Sequence, residues 1–128
     1  MVFNNGKTGI EEVVFPVLKS INGDLNVKFT NDLKTLTMSA LEKVSGMFYF
    51  HQNQKLETVN FEAITDIGNV ICIKNPLLSA LSVHKLESVE KMYIQNNDAI
   101  KVVGLSNLKN VTDEMKIFGN PQLAQVLI

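Results

Sequence analysis

The sequence predicts a mainly β protein, a short β-solenoid of about five coils with parallel strands stacked into sheets. Three observations lead there. Apolar residues recur in phase about every 22 to 23 positions. Within each copy they alternate at two-residue spacing, the strand signature, and no copy holds enough period-3.6 pattern for a helix. An asparagine returns at the same place, and Asn, Gly and Pro punctuate the bends at Asn22-Gly23, Asn75-Pro76 and Asn120-Pro121.

The copies read in order along the chain. The first holds Ile21, Leu25, Val27, Asn31, Leu33, Leu36 and Met38; the second Val44, Phe48, Phe50, Asn53, Leu56, Val59 and Phe61. The third runs Ile67, Ile71, Ile73, Asn75, Leu78, Leu81 and Val83, and the fourth Val89, Met92, Ile94, Asn97, Ile100, Val103 and Leu105. The fifth closes with Val111, Met115, Ile117, Asn120, Leu123, Val126 and Ile128, and Leu18, Leu41, Ile64, Leu86 and Leu108 fill a further apolar position between copies. One coil cannot bury its apolar side alone, so the copies must stack around a shared core. Residues 1–16 are read as a lead-in and N-terminal cap, with a short helix around Ile10 to Val14 ending near Pro16, and residues 17–128 as the repeats. Asn31, Asn53, Asn75, Asn97 and Asn120 are read as a turn ladder, because a stacked amide can donate and accept along the axis and satisfy backbone groups at a bend.

Composition narrows the function classes. Of 128 residues 45% are apolar and 20% charged, which excludes a disordered chain. Twelve lysines with no arginine face 13 acids, a net charge of −1, without the basic footprint of a nucleic-acid binder. No apolar run approaches the length of a membrane helix, and Met1 to Lys7 carries no apolar signal-peptide core. The single cysteine, Cys72, has no partner for a disulfide or a CxxC metal knuckle.

The pattern I-x-G-x-L-x-V, then N-x-x-L-x-x-L, then L-x-x-V resembles the receptor L domain family, over Leu18 to Leu36, Leu41 to Val59, Ile64 to Leu81, Leu86 to Val103 and Leu108 to Val126. That family includes the L domains of growth-factor receptors and similar repeats in fungal cell-wall glycoproteins of the Ecm type. The resemblance implies a right-handed β-helix related to leucine-rich repeats with a short helical cap. It also implies an extracellular or cell-surface location and a non-catalytic recognition or adhesion role, with a protein or glycan as partner. The cysteines that close the ends of the receptor domains are missing here.

No residue cluster points to catalysis. His51 and His84 are the two imidazoles, about one and a half copies apart, and no P-loop, GxGxxG or HExxH occurs. Neither a resident metal nor a cofactor is expected, and Asp66, Glu90 and Asp113, about one coil apart, are read as solvated turn residues. Asn110-Val111-Thr112 is an N-glycosylation sequon. Alternation that turns Ile71 and Ile73 inward leaves one outward column of Asn26, Tyr49, Cys72, Tyr93 and Lys116, and a second of Lys28, His51, Lys74, Gln95 and Phe118. From these columns Tyr49, His51, Lys74, Tyr93, Gln95 and Phe118 are the expected binding residues, since aromatic side chains on a rigid sheet anchor partners at low entropic cost. The fifth copy stops inside a repeat, so its Met115, Ile117, Leu123, Val126 and Ile128 are expected to form an apolar end. The alternative function is therefore a structural repeat that self-assembles, as a homo-oligomer or with further coils, through its open C-terminal coil.

Overall fold

The computed structural model describes residues 1–4 and 9–128. The chain winds into a β-solenoid whose coil length is 22 or 23 residues, set by the ladder contacts between successive turns. Its strands in chain order are β1 (Val2–Asn4), β2 (Glu12–Val14), β3 (Ser20–Ile21), β4 (Leu25–Lys28), β5 (Thr35–Thr37), β6 (Lys43–His51), β7 (Thr58–Asn60), β8 (Asp66–Ile73), β9 (Ala80–Ser82), β10 (Ser88–Gln95), β11 (Val102–Gly104), β12 (Asn110–Phe118) and β13 (Gln125–Leu127). The long strands form one sheet in the order β1-β4-β6-β8-β10-β12, with β3 also beside β6. The short strands form two three-stranded sheets, β2-β5-β7 and β9-β11-β13. All pairings are parallel, as equivalent segments of successive coils must be when each coil repeats the path of the last.

The register defines two inward columns on the long sheet. Leu25, Phe48, Val70, Met92 and Met115 align in one, and Val27, Phe50, Cys72, Ile94 and Ile117 in the other. Opposite them Leu36 and Val59 align, as do Leu81, Val103 and Val126. Phe48, Phe50 and Phe61 meet in the second coil, Phe48 and Phe61 edge to face at 4.6 Å between ring centroids. All three are fully buried and fix the thickness of the core.

Where a long strand ends, the chain turns through a left-handed residue. Phe29, Gln52, Lys74 and Asn96 have φ between 52° and 56°, and Gly119 has φ 68°. A side chain in that conformation costs about 1–2 kcal/mol, and the next residue repays it by reaching along the axis. Asn53 Nδ2 donates to Asn75 Oδ1 at 2.8 Å, Asn75 Nδ2 to Asn97 Oδ1 at 3.1 Å, and Asn97 Nδ2 to Asn120 Oδ1 at 3.1 Å. Each amide oxygen also accepts the backbone N–H of the ladder residue in the preceding coil, and each Nδ2 also donates to a carbonyl there: Val27, Phe50, Cys72 or Ile94. Asn53, Asn75 and Asn97 are completely buried, so this saturation is what makes their burial tolerable.

Three expectations are corrected. The N-terminal helix is not formed: residues 12–14 are a strand, with Val13 beside Leu36 and the Phe15 N–H bonded to the Thr37 carbonyl at 2.9 Å. Val2–Asn4 likewise pairs with β4, so the described parts of residues 1–16 extend the sheets; β-branched Val13 and Val14 beside an open strand edge favour pairing over a single helical turn. Residues 5–8 of the lead-in lie outside the described residues. Asn31 is exposed and not part of the ladder; Thr30 heads it, its hydroxyl donating to Asn53 Oδ1 at 2.8 Å. Finally, Ile71 and Ile73 face outward and Cys72 inward. The bend between Ile67 and Val70 is one residue shorter than that between Val44 and Phe48, and the ladder register shifts there, which moves each later side chain of the strand to the other face.

Candidate binding face

The outer face of the long sheet carries three aligned columns. The first is Asp24, Met47, Asn69, Lys91 and Glu114; the second Asn26, Tyr49, Ile71, Tyr93 and Lys116; the third Lys28, His51, Ile73, Gln95 and Phe118. Tyr49, His51, Tyr93 and Gln95 therefore lie where the sequence placed them, half-buried, and Phe118 lies at the edge coil, 53% exposed. Lys74 does not. The shift that buries Cys72 moves Lys74 out of the strand and into the left-handed turn, where it lines a shallow depression with Gln52, Gln54, Pro76, Asn96 and Asp98. In its place the face gains Ile73, and Ile71 with it, half-buried apolar residues that join Met47 and the tyrosines in one patch. The sequence held a signal for this: Phe50, Ile94 and Ile117 each stand three residues before a ladder asparagine, and that offset from Asn75 selects Cys72, not Ile73, as the inward residue.

The two halves of the face differ in charge. Around coils four and five the charges are mutually paired. Lys116 Nζ lies 2.7 Å from Glu114 and 5.5 Å from the Tyr93 ring centroid, Lys91 lies 3.3 Å from Asp113, and the Tyr93 hydroxyl donates to Glu114 at 2.6 Å. The bond to Glu114 raises the Tyr93 pKa, and the bonds from Lys116 and Tyr93 hold the Glu114 carboxyl low. Around coils one to three Asp24 accepts the Met47 N–H at 2.7 Å, and among the described residues no carboxylate pairs with Lys28 or Lys74 within 4 Å. His51 Nδ1 is 2.9 Å from the Tyr49 hydroxyl and its ring packs on Phe29 at 5.3 Å, while Lys28 lies 6.0 Å from the Tyr49 ring centroid. Partial burial, then the positive charges of Lys74 and Lys28, hold the His51 pKa below the ordinary histidine value.

Other reactive groups are accounted for by packing. Burial pushes the Cys72 thiol up to about 12, against a weaker opposing bond from Asn75, so it stays protonated. His84 lies on another side of the coil, its Nδ1 3.1 Å from Ser106 Oγ. Asp113 is held by Lys91, and Asp66 accepts from the Thr65 hydroxyl at 3.1 Å. Among the described residues no three His, Cys, Asp or Glu side chains gather to hold a metal ion, and no helix is long and apolar enough to cross a membrane. Asn110 opens β12 at an exposed position.

A saturated axial ladder, a continuous core and a flat parallel sheet exposed along one side define a β-solenoid repeat protein whose distinctive surface is that sheet. The chain is similar to protein ecm33 of Aspergillus fumigatus, 28% identical over 116 residues, which is 90% of this chain and 29% of that protein. It thus spans less than a third of the relative's length. No family model and no solved structure matches it.

Proposed function

We propose that this chain is a non-catalytic recognition module of a cell-surface or extracellular protein, binding a protein or glycan partner through the outer face of its long sheet. The observation that carries this reading is the unbroken patch of Met47, Tyr49, Ile71, Ile73 and Tyr93, aligned across three coils on a rigid sheet. Fixed aromatic and aliphatic groups of this kind supply contact area without an ordering cost at binding. The similarity to ecm33, and the resemblance of the repeats to those of Ecm-type fungal cell-wall glycoproteins, supports the surface location.

The test is binding of purified protein to cell-wall fractions and to an array of wall glycans. Tyr49→Ala combined with Tyr93→Ala is expected to weaken capture at least tenfold while the far-ultraviolet spectrum and unfolding midpoint stay near wild type. Unchanged capture by that folded double variant overturns the reading.

A further inference from the structure

The corner where β4, β6 and β8 run into their turns gathers cationic and hydrogen-bond-donating groups, and they lack the carboxylate partners found at the other end of the face. Lys28 and His51 are register partners, and His51 pairs in turn with Ile73, whose neighbour Lys74 occupies the left-handed turn. Lys28 and Lys74 have no ion-pair partner within 4 Å among the described residues; the nearest acid lining the Lys74 depression is Asp98, outside that distance. By contrast Lys34, Lys55, Lys91, Lys109 and Lys116 are each paired with an acid. With the Tyr49 hydroxyl 2.9 Å from Nδ1, Nε2 is the His51 ring nitrogen that has no protein partner among the described residues, and the imidazolium donates from it. Phe29, 48% exposed, covers one side of the same ring.

We infer that this corner is a subsite for a tetrahedral oxyanion ester on a sugar, with Lys28, His51 and Lys74 donating to the phosphate or sulfate oxygens and Phe29 stacking on the pyranose. Three cationic or donor side chains borne on successive coils, with Lys28 and Lys74 both near enough to act on the His51 ring, suit a group with three terminal oxygens better than a carboxylate with two. An exposed aromatic ring next to them gives the carbon-bound hydrogens of a sugar a surface, which a free ion does not need. The site rests on the recognition role proposed above and names the chemistry of its ligand at this end of the face.

The linkage has a definite sign. Partial burial, then the positive neighbours, favour neutral His51 in the free protein, and an anion seated among them favours the imidazolium. Binding therefore takes up a proton, and affinity rises as pH falls through about 6.5, the ordinary histidine value, toward the lower value of the free protein. The other charged groups bearing on this ring are Lys74 and Lys28.

The experiment is an NMR titration of the His51 ring nitrogens in the folded 128-residue chain, with inorganic phosphate, glucose 6-phosphate, glucose 6-sulfate and glucose. Both esters are expected to shift the His51 signals and raise its titration midpoint, leaving His84 unmoved. Inorganic phosphate is expected to bind more weakly, and glucose to leave the ring unchanged. Lys28→Gln and Lys74→Gln each weaken ester binding roughly two- to fivefold, Lys109→Gln leaves it unchanged, and Phe29→Ala lowers the preference for the ester over free phosphate. No response of His51 to either ester, or equal responses of His51 and His84, overturns the subsite. Continued loss of wall binding in the Tyr49/Tyr93 double variant would then leave the recognition role standing, so the two failures are distinguishable.

Discussion

Replacing Asn75 with alanine probes the ladder where it is most enclosed. Asn75 Oδ1 accepts from the Asn53 backbone N–H at 3.3 Å and from Asn53 Nδ2 at 2.8 Å, and its own Nδ2 reaches Asn97 Oδ1 at 3.1 Å and the Phe50 carbonyl at 3.2 Å. Alanine deletes these contacts and leaves two buried N–H hydrogens of Asn53 without an acceptor, the backbone one and one on Nδ2, whose other hydrogen keeps the Val27 carbonyl. A buried unsatisfied polar group costs about 1–3 kcal/mol, so the expected loss is about 2–6 kcal/mol, a large share of the ~5–15 kcal/mol that holds a domain of this size. Water can relieve little of this, because Asn53 and Asn75 are both 0% exposed. The assay is urea denaturation followed by circular dichroism, with Asn31→Ala as control. Exposed Asn31 lies outside the ladder, and its replacement is expected to change stability by no more than ~0.5 kcal/mol. If Asn75→Ala costs less than ~1 kcal/mol, or no more than the control, the ladder is not what offsets the left-handed turns.

Further outcomes follow from close contacts and burial. A Cβ at Gly68 meets the Gly46 carbonyl oxygen at 2.6 Å, fixed backbone of the neighbouring coil, so Gly68→Ala is expected to cost ~2–3 kcal/mol in the same denaturation assay. A Cβ at Gly104 comes closest to the exposed His84 ring, which can swing into solvent, so Gly104→Ala should cost under ~1 kcal/mol and shift the His84 NMR signals. Cys72, buried with its thiol held near 12, should resist a chromogenic disulfide reagent at pH 8 in the folded protein and react once urea unfolds it; fast reaction under native conditions contradicts its inward placement.

The candidate face was legible in part. Tyr49, His51, Tyr93, Gln95 and Phe118 could be assigned outward because their strands alternate apolar with polar or aromatic residues. The run Val70-Ile71-Cys72-Ile73 is apolar throughout, so alternation along that strand gives no phase, and Lys74 was drawn into a column it does not occupy. The ladder was legible at four of its five positions because an amide is the side chain that both donates and accepts along the axis. It was misread at the first because Thr30 meets the same need with a hydroxyl while an asparagine stands next to it.

What the sequence determined by itself was the coil: its length, its strands and turns, and the stacking that a one-sided apolar repeat requires. Those properties follow from periodicity, which survives a one-residue error in any single copy. The tertiary structure decided the register, because one residue more or less at a bend inverts a strand, and alternation within the strand does not select between the two faces as the pairing with adjacent coils does. It also decided the N-terminus, where an open β edge outweighed a weak helical preference in residues 10–14. The division of charge on the outer face, paired at one end and unpaired around His51 at the other, arises from the same cause, since it depends on which side chains of neighbouring coils stand beside one another.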